Sequence, residues 1–295
     1  MSVSRSKGFT LVELSVTLVI VGLLLAAAMI PLSAQVDLRN IADTRRSLEQ
    51  IKEAIIGFAQ ANGRLPCPAT GTIASGASGA GVESVSSNAC SSAFGVLPWA
   101  TLGVPETDAW GRRFSYAVAP AFGDENSQNT WATSYDLAPL TSPLSLANQS
   151  PGCTPSPTPS APATFALCSL GDIAVLNPTD ANKSPTSPVS QGAPVVILSH
   201  GKNGYGAYQS NGLQLSGTGG GHESANLGGG IDSSTLSGLS LYFKNRVFYT
   251  RAVTSQSSDC SETDTSKSFC EFDDILVWIP PFTLVARMVS AGRLP

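Results

Sequence analysis

The chain opens on a basic stub, Arg5 and Lys7, then Gly8, then an apolar run over residues 9–32 whose one charge is Glu13. As a helix at about 1.5 Å per residue that run reaches roughly 36 Å, enough for a bilayer core of about 30 Å. Arg5 and Lys7 precede it, so the positive-inside bias keeps the N-terminus cytoplasmic and sends the remainder outward. A conventional secretory signal has a shorter apolar core and a small-residue cleavage site at its far end, which Ala26-Ala27-Ala28 imitates; an uncleaved anchor is the other plain reading. Neither explains Glu13. An acid inside a membrane helix costs about 2.5–3.5 kcal/mol and usually has a partner, yet no basic side chain follows until Arg39, beyond the span.

The stretch Lys7-Gly8-Phe9-Thr10-Leu11-Val12-Glu13-Leu14 resembles the class III signal of type IV pilins and type II secretion pseudopilins. The resemblance covers the first thirty or so residues. It implies that a prepilin peptidase cuts between Gly8 and Phe9 and methylates the Phe9 amine. It also implies that Glu13 pairs with the methylated amine of a neighbouring subunit, which gives each new subunit a reason to dock in register. The implied partners are the prepilin peptidase, other pilin or pseudopilin subunits, the inner-membrane assembly platform, and the membrane through the N-terminal helix. The implied location is the bacterial inner membrane, then a periplasmic or cell-surface filament. Gly22 stands where the family packs one stem closely against another, and Pro31 one residue beyond the usual kink-forming proline. Proline in a helix interior removes a backbone bond, so a bend or local opening is expected around residues 25–31.

Beyond the apolar run, Ile41, Leu48, Ile51, Ile55 and Phe58 recur at helical spacing, with Asp43, Arg45, Arg46, Glu49, Gln50, Lys52 and Glu53 on the wet side. Asn62-Gly63 followed by Pro66 is a stop signal. The predicted organisation is a leader over 1–8, a stem helix over 9–63 with its membrane span at 9–32, and a globular head over 64–295. With 13% charged residues, 28 Gly and 20 Pro in the whole chain, most of them beyond the stem, the head reads as sparsely charged and rich in loops. A balance of 17 basic against 21 acidic residues, without basic clusters, offers no footprint for nucleic acid.

All six cysteines follow the apolar run: Cys67, Cys90, Cys153, Cys168, Cys260 and Cys270. None is spaced as CxxC, so exported disulfides are favoured over zinc. Sequence alone leaves fifteen connectivities open. Sequential pairing, Cys67–Cys90, Cys153–Cys168 and Cys260–Cys270, is expected because each pair brackets a low-complexity stretch. Strands are expected at 114–118, 173–176, 195–198, 239–243, 246–253 and 275–279, with Lys244-Asn245 as a hairpin turn. Ser/Pro-rich segments at 141–163 and 177–194, and a Gly/Ser-rich one at 210–238, read as surface insertions. The expected fold is α+β: a long N-terminal helix, part transmembrane and part amphipathic, packed on an antiparallel sheet head with disulfide-pinned loops.

Three further stretches strengthen the resemblance. Asp108-Ala109-Trp110-Gly111-Arg112-Arg113-Phe114 resembles the Asp-x-Trp-Gly segment of pseudopilins, where a turn leads into the first strand. Ser199-His200-Gly201-Lys202-Asn203-Gly204 resembles a glycine turn of minor pilin-like proteins, and Phe272-Asp273-Asp274-Ile275-Leu276-Val277-Trp278 their closing strand.

Catalytic readings find little support. Gly201-Lys202-Asn203 lacks the glycine spacing and Ser/Thr of a phosphate-binding loop, and His222-Glu223 lacks the second histidine of a zinc protease. The two histidines read as solvated residues of glycine-rich turns. No Gly-x-Ser-x-Gly elbow occurs, so the chain is not expected to be an enzyme. No cofactor is expected, with one exception. Asp259, Glu262, Asp264, Asp273 and Asp274 surround the Cys260–Cys270 loop, and major pseudopilins hold calcium in a C-terminal loop, so these hard oxygen donors are candidate ligands. A solvated acidic loop is the plainer reading of the same residues. The expected function is structural: a minor pilin or pseudopilin of a type IV pilus or type II secretion filament. A tip adhesin or ligand- or DNA-binding minor pilin is the alternative.

Overall fold

The computed structural model describes residues 10–86, 89–123, 165, 171, 173–185, 187–217, 219–228 and 246–294, without the side chains of 24–34, 89, 120 and 121. Two compact units result, Met1–Ala42 and Asp43–Pro295. Helix α1 (Leu11–Asn62) runs unbroken for 52 residues. The expected local opening near Pro31 is therefore not found: the helix formers around Pro31 hold the helical backbone through one missing N–H. Among the described residues no helix is long and apolar enough to cross a membrane. The expected span at 9–32 lies partly outside those residues. Over 10–23 every side chain is exposed, Leu11, Val12, Leu14, Val16, Leu18 and Val19 among them.

The second half of α1 buries Thr44, Leu48, Ile51, Ile55, Ile56 and Ala59, leaving Ile41 and Phe58 half-buried. The helix ends as expected. Gly63 takes φ 73°, its N–H returns to the Ala59 carbonyl at 2.8 Å, and Asn62 Nδ2 donates to the Phe58 carbonyl at 2.9 Å.

Among the described residues the head holds two principal sheets. After a short hairpin, β1 (Val85–Ser86) and β2 (Ala89–Cys90), come β3 (Phe94–Val96), α2 (Trp99–Leu102), β4 (Ser115–Val118) and α3 (Pro120–Gly123). Then follow β5 (Ile173–Leu176), β6 (Ser190–Ala193), β7 (Val195–Ser199), α4 (Gly221–Leu227), β8 (Arg246–Tyr249), β9 (Ile275–Ile279) and α5 (Pro281–Ser290). The first sheet has the order β3-β4-β7-β9 and is antiparallel throughout, with Ser115 opposite Leu198 and Val195 opposite Ile279.

The second sheet has the order β6-β5-β8, and β5 pairs with β8 in parallel. The expected antiparallel sheet is met by the first sheet, and the β5–β8 pair departs from it. The correction has a physical basis, since the Ile-Ala-Val-Leu run of β5 is buried on both faces, as strands of parallel pairs commonly are. One face joins Ile173, Val175, Ala193 and Phe248 to Ala117, Val196, Leu198 and Leu276 of the first sheet. The other joins Ala174, Leu176, Val247 and Tyr249 to Ala225 of α4 and to Phe272.

Two expected surface insertions contain structure: β6 lies inside 177–194 and α4 inside 210–238. The expected strand 246–253 stops at Tyr249. The strand at 239–243 and the Lys244-Asn245 turn lie outside the described residues. The C-terminal segment is a packed helix. α5 buries Leu284 and Met288, and Gln60 Nε2 donates to the Arg287 carbonyl at 3.1 Å. Arg293 Nε donates to the Gln60 carbonyl at 2.7 Å. Disulfides Cys67–Cys90 and Cys260–Cys270 pair as expected. The pairing Cys153–Cys168 lies outside the described residues.

Candidate functional site

Gly8 and Phe9 lie outside the described residues, and Glu13 stands in the first turn of α1. Glu13 is not without a partner inside its own subunit. The Thr10 N–H and Oγ1–H both donate to Glu13 Oε2 at 3.0 Å, and the Glu13 N–H returns to Thr10 Oγ1 at 3.2 Å. This reciprocal pair is the capping box that Thr-x-x-Glu forms at a helix start. It neutralises no charge, so it leaves Glu13 able to meet a cation while fixing where the carboxylate stands.

In the head, the three motif stretches converge. Asp108 closes its turn by accepting from the N–H groups of Trp110 at 2.9 Å and Arg112 at 3.0 Å. Its other oxygen accepts from Ser199 Oγ at 2.6 Å, which ties the turn to the end of β7. Arg112 donates to the Gly201 carbonyl. At Gly201 φ is 55° and a side chain would strike the Asp273 carbonyl, so the glycine is required by both conformation and contact. The Asn203 N–H donates to Asp273 Oδ2 at 2.7 Å.

That turn, the Asp273-Asp274 pair and α4 enclose three carboxylates. Glu223, Asp273 and Asp274 each offer an oxygen within 4.8 Å of the others. Glu223 is 1% exposed and accepts from the Asp273 N–H at 2.8 Å and from Asn203 Nδ2 at 3.1 Å. Asn226 Nδ2 donates to Asp274 Oδ2 at 2.8 Å. Among the described residues Asp273 Oδ1 is buried without a hydrogen-bond partner, and His200 Nδ1 stands 3.7 Å from Asp274 Oδ1. Burial and the neighbouring Asp274 push Glu223 up to about 8. Burial pushes Asp273 up to about 6, with Asp274 adding to the rise.

Of the five expected calcium ligands, only Asp273 and Asp274 enter this cluster, and Glu223 joins them. Asp259 is exposed and pairs with Lys267 at 2.6 Å. Asp264 caps the Ser266 N–H at 2.9 Å. Glu262 faces His222 Nδ1 at 3.1 Å and Arg251 at 3.4 Å. Both histidines depart from the expected solvated turns: His200 is 1% exposed and bonded to Ser115 Oγ at 2.8 Å, and His222 lies buried in α4, stacked on Tyr249. In sequence His222-Glu223 offers only half of a protease motif and does not single out Glu223; the Gly-Gly-Gly run before it marks a helix start where an acid serves structure.

Three oxygens this close can take protons or a divalent cation. For the proton case the sign is fixed by the folded values, which lie above the ordinary 4.5 of Glu223 and 3.8 of Asp273. The stability they confer is complete below about pH 4 and is lost as pH rises through about 6 and then about 8. The melting temperature of the head is expected to fall by several degrees between pH 5 and pH 9, and Glu223→Gln to remove most of that slope. An equal slope in the variant contradicts the assignment. Millimolar calcium at pH 9 distinguishes the cases: recovery of the lost stability marks a cation, and no change leaves protons alone.

Residues 3–29 match the family model described as the prokaryotic N-terminal methylation motif, the signature of type IV pilins and pseudopilins. That signal implies processing by a prepilin peptidase and assembly with other pilin subunits. No curated protein and no solved structure matches the chain.

Proposed function

We propose that a chain bearing this signature serves as a minor pilin or pseudopilin, a structural and non-catalytic subunit of a type IV pilus or type II secretion filament. The observation that carries the reading is the methylation motif at 3–29, within which a 52-residue helix begins at Leu11. Residues 11–23 of that helix expose their apolar side chains, and its late part is built into the head. Lipid before assembly, and neighbouring stems after it, are the surroundings that such an exposed apolar surface needs. Glu13, held in place by Thr10, then meets the methylated amine of Phe9 in a neighbour.

A head of roughly 230 residues with long Ser/Pro-rich segments is hard to repeat along a dense shaft, which favours a priming or tip-proximal position. Deleting the gene tests the role. Loss of filaments from the sheared fraction is expected of a priming subunit. Intact filaments with lost adhesion or DNA uptake overturn this reading in favour of a tip-located binding subunit.

A further inference from the structure

The disulfide loop Cys260–Cys270 carries a role that the filament reading does not assign. α4 has seven residues, too few to hold a helix unaided, and its N-terminus rests on this loop. A side chain at Gly220 would strike the Glu271 carbonyl, Glu262 Oε1 at 3.0 Å and Cys270 Cβ at 3.4 Å; one at Gly221 would meet Glu262 Cγ at 3.3 Å. From the same loop Glu262 faces His222 of α4 at 3.1 Å. Arg251 joins the two elements: it donates to the Cys270 carbonyl at 2.9 Å and to His222 Nδ1 at 3.2 Å, and its guanidinium lies 4.5 Å from the Phe269 ring centre.

The loop is itself held from a distant segment. Lys183, 3% exposed, donates through Nζ to the Ser261 carbonyl at 2.7 Å and the Lys267 carbonyl at 2.8 Å. Its ammonium stands 4.3 Å from the Phe269 ring centre. A buried ammonium with such partners needs both carbonyls presented together, and the covalent closure of the loop presents them.

We propose that the Cys260–Cys270 loop is an oxidation-dependent strap that locks α4 in place, so that the carboxylate cluster completed by Glu223 of α4 forms only after the two cysteines are joined. Closure balances as an exchange. Two thiols lose two electrons and two protons to a disulfide-bearing oxidant, which leaves as its dithiol. Before closure the loop is free to move away from Gly220, and α4 loses its N-terminal seat while Asn226 still ties its far end to Tyr249, accepting from the Tyr249 N–H at 2.8 Å.

Hydrogen exchange of the full chain in detergent tests this, read at the amides of residues 224–227. The Ser224 N–H makes the first bond of the helix, to the Gly220 carbonyl at 2.9 Å. Cys260→Ser/Cys270→Ser is expected to speed exchange there at least tenfold, with residues 115–118 and 195–199 unchanged. Cys67→Ser/Cys90→Ser is expected to leave 224–227 as they were. Exchange at 224–227 within twofold of the parent overturns the strap, as does equal acceleration in both variants. If the double variant does not fold, Gly220→Ala with the disulfide intact gives the decision. Faster exchange at 224–227 supports the seat, and unchanged exchange overturns it.

Discussion

Glu13→Ala is expected to leave cleavage between Gly8 and Phe9 intact and to lower the chain in the sheared filament fraction at least tenfold. The acid costs about 2.5–3.5 kcal/mol in a bilayer, so it persists only where another contact returns that energy. Thr10 returns part of it within the subunit, since a helix cap is worth about 1 kcal/mol. The proposed pairing assigns the remainder to the Phe9 amine of a neighbour, and a tenfold change in incorporation needs only about 1.4 kcal/mol. Quantitative blotting of sheared filaments and of membranes checks the result. Equal incorporation of the variant contradicts a pairing role for Glu13.

The largest loss of stability is expected at Arg113, whose side chain is 0% exposed. Its Nε donates to Glu106 at 2.9 Å, and its terminal nitrogens donate to the carbonyls of Gly71 at 2.7 Å, Ile73 at 2.8 Å and Ser210 at 3.1 Å. The guanidinium also stands 4.5 Å from the Trp99 ring centre. One cation thus fastens residues 71–75, the 106–113 turn and the loop at 210. Arg113→Met keeps much of the volume but leaves Glu106 without its cation and takes the Arg113 donor from the Gly71 and Ile73 carbonyls, while Ser210 keeps the Ser75 N–H, a change of about 3–5 kcal/mol. At about 2–4 °C per kcal/mol for a domain of this size, the melting temperature is expected to drop by roughly 10 °C. A drop of under 2 °C contradicts the fastening role.

The stem was legible in the sequence because helical spacing and the Asn62-Gly63 stop are local signals, and Leu48, Ile51 and Ile55 are buried as the spacing predicts. The strands at 115–118, 173–176, 195–199 and 275–279 were legible for the same reason, being short apolar runs bounded by turn residues. What escaped was non-local. No alternation in Ile-Ala-Val-Leu or Arg-Val-Phe-Tyr announces that two strands some seventy positions apart pair in parallel. β6, Ser-Gln-Gly-Ala, has strand form only because β5 lies beside it. In sequence Arg113 belongs only to a turn motif, because its acceptors, Gly71, Ile73, Ser75, Glu106 and Ser210, come from three places in the chain. Asp259, Glu262 and Asp264 stay outside the cluster because proximity in sequence to a disulfide loop does not aim side chains, whereas Glu223 reaches Asp273 from fifty residues away.

The most direct test of the account is mass spectrometry of the N-terminus in sheared filaments from the native host. The account predicts a chain that begins at Phe9 with a methylated amine. An intact Met1, or a cut near Ala28, contradicts it.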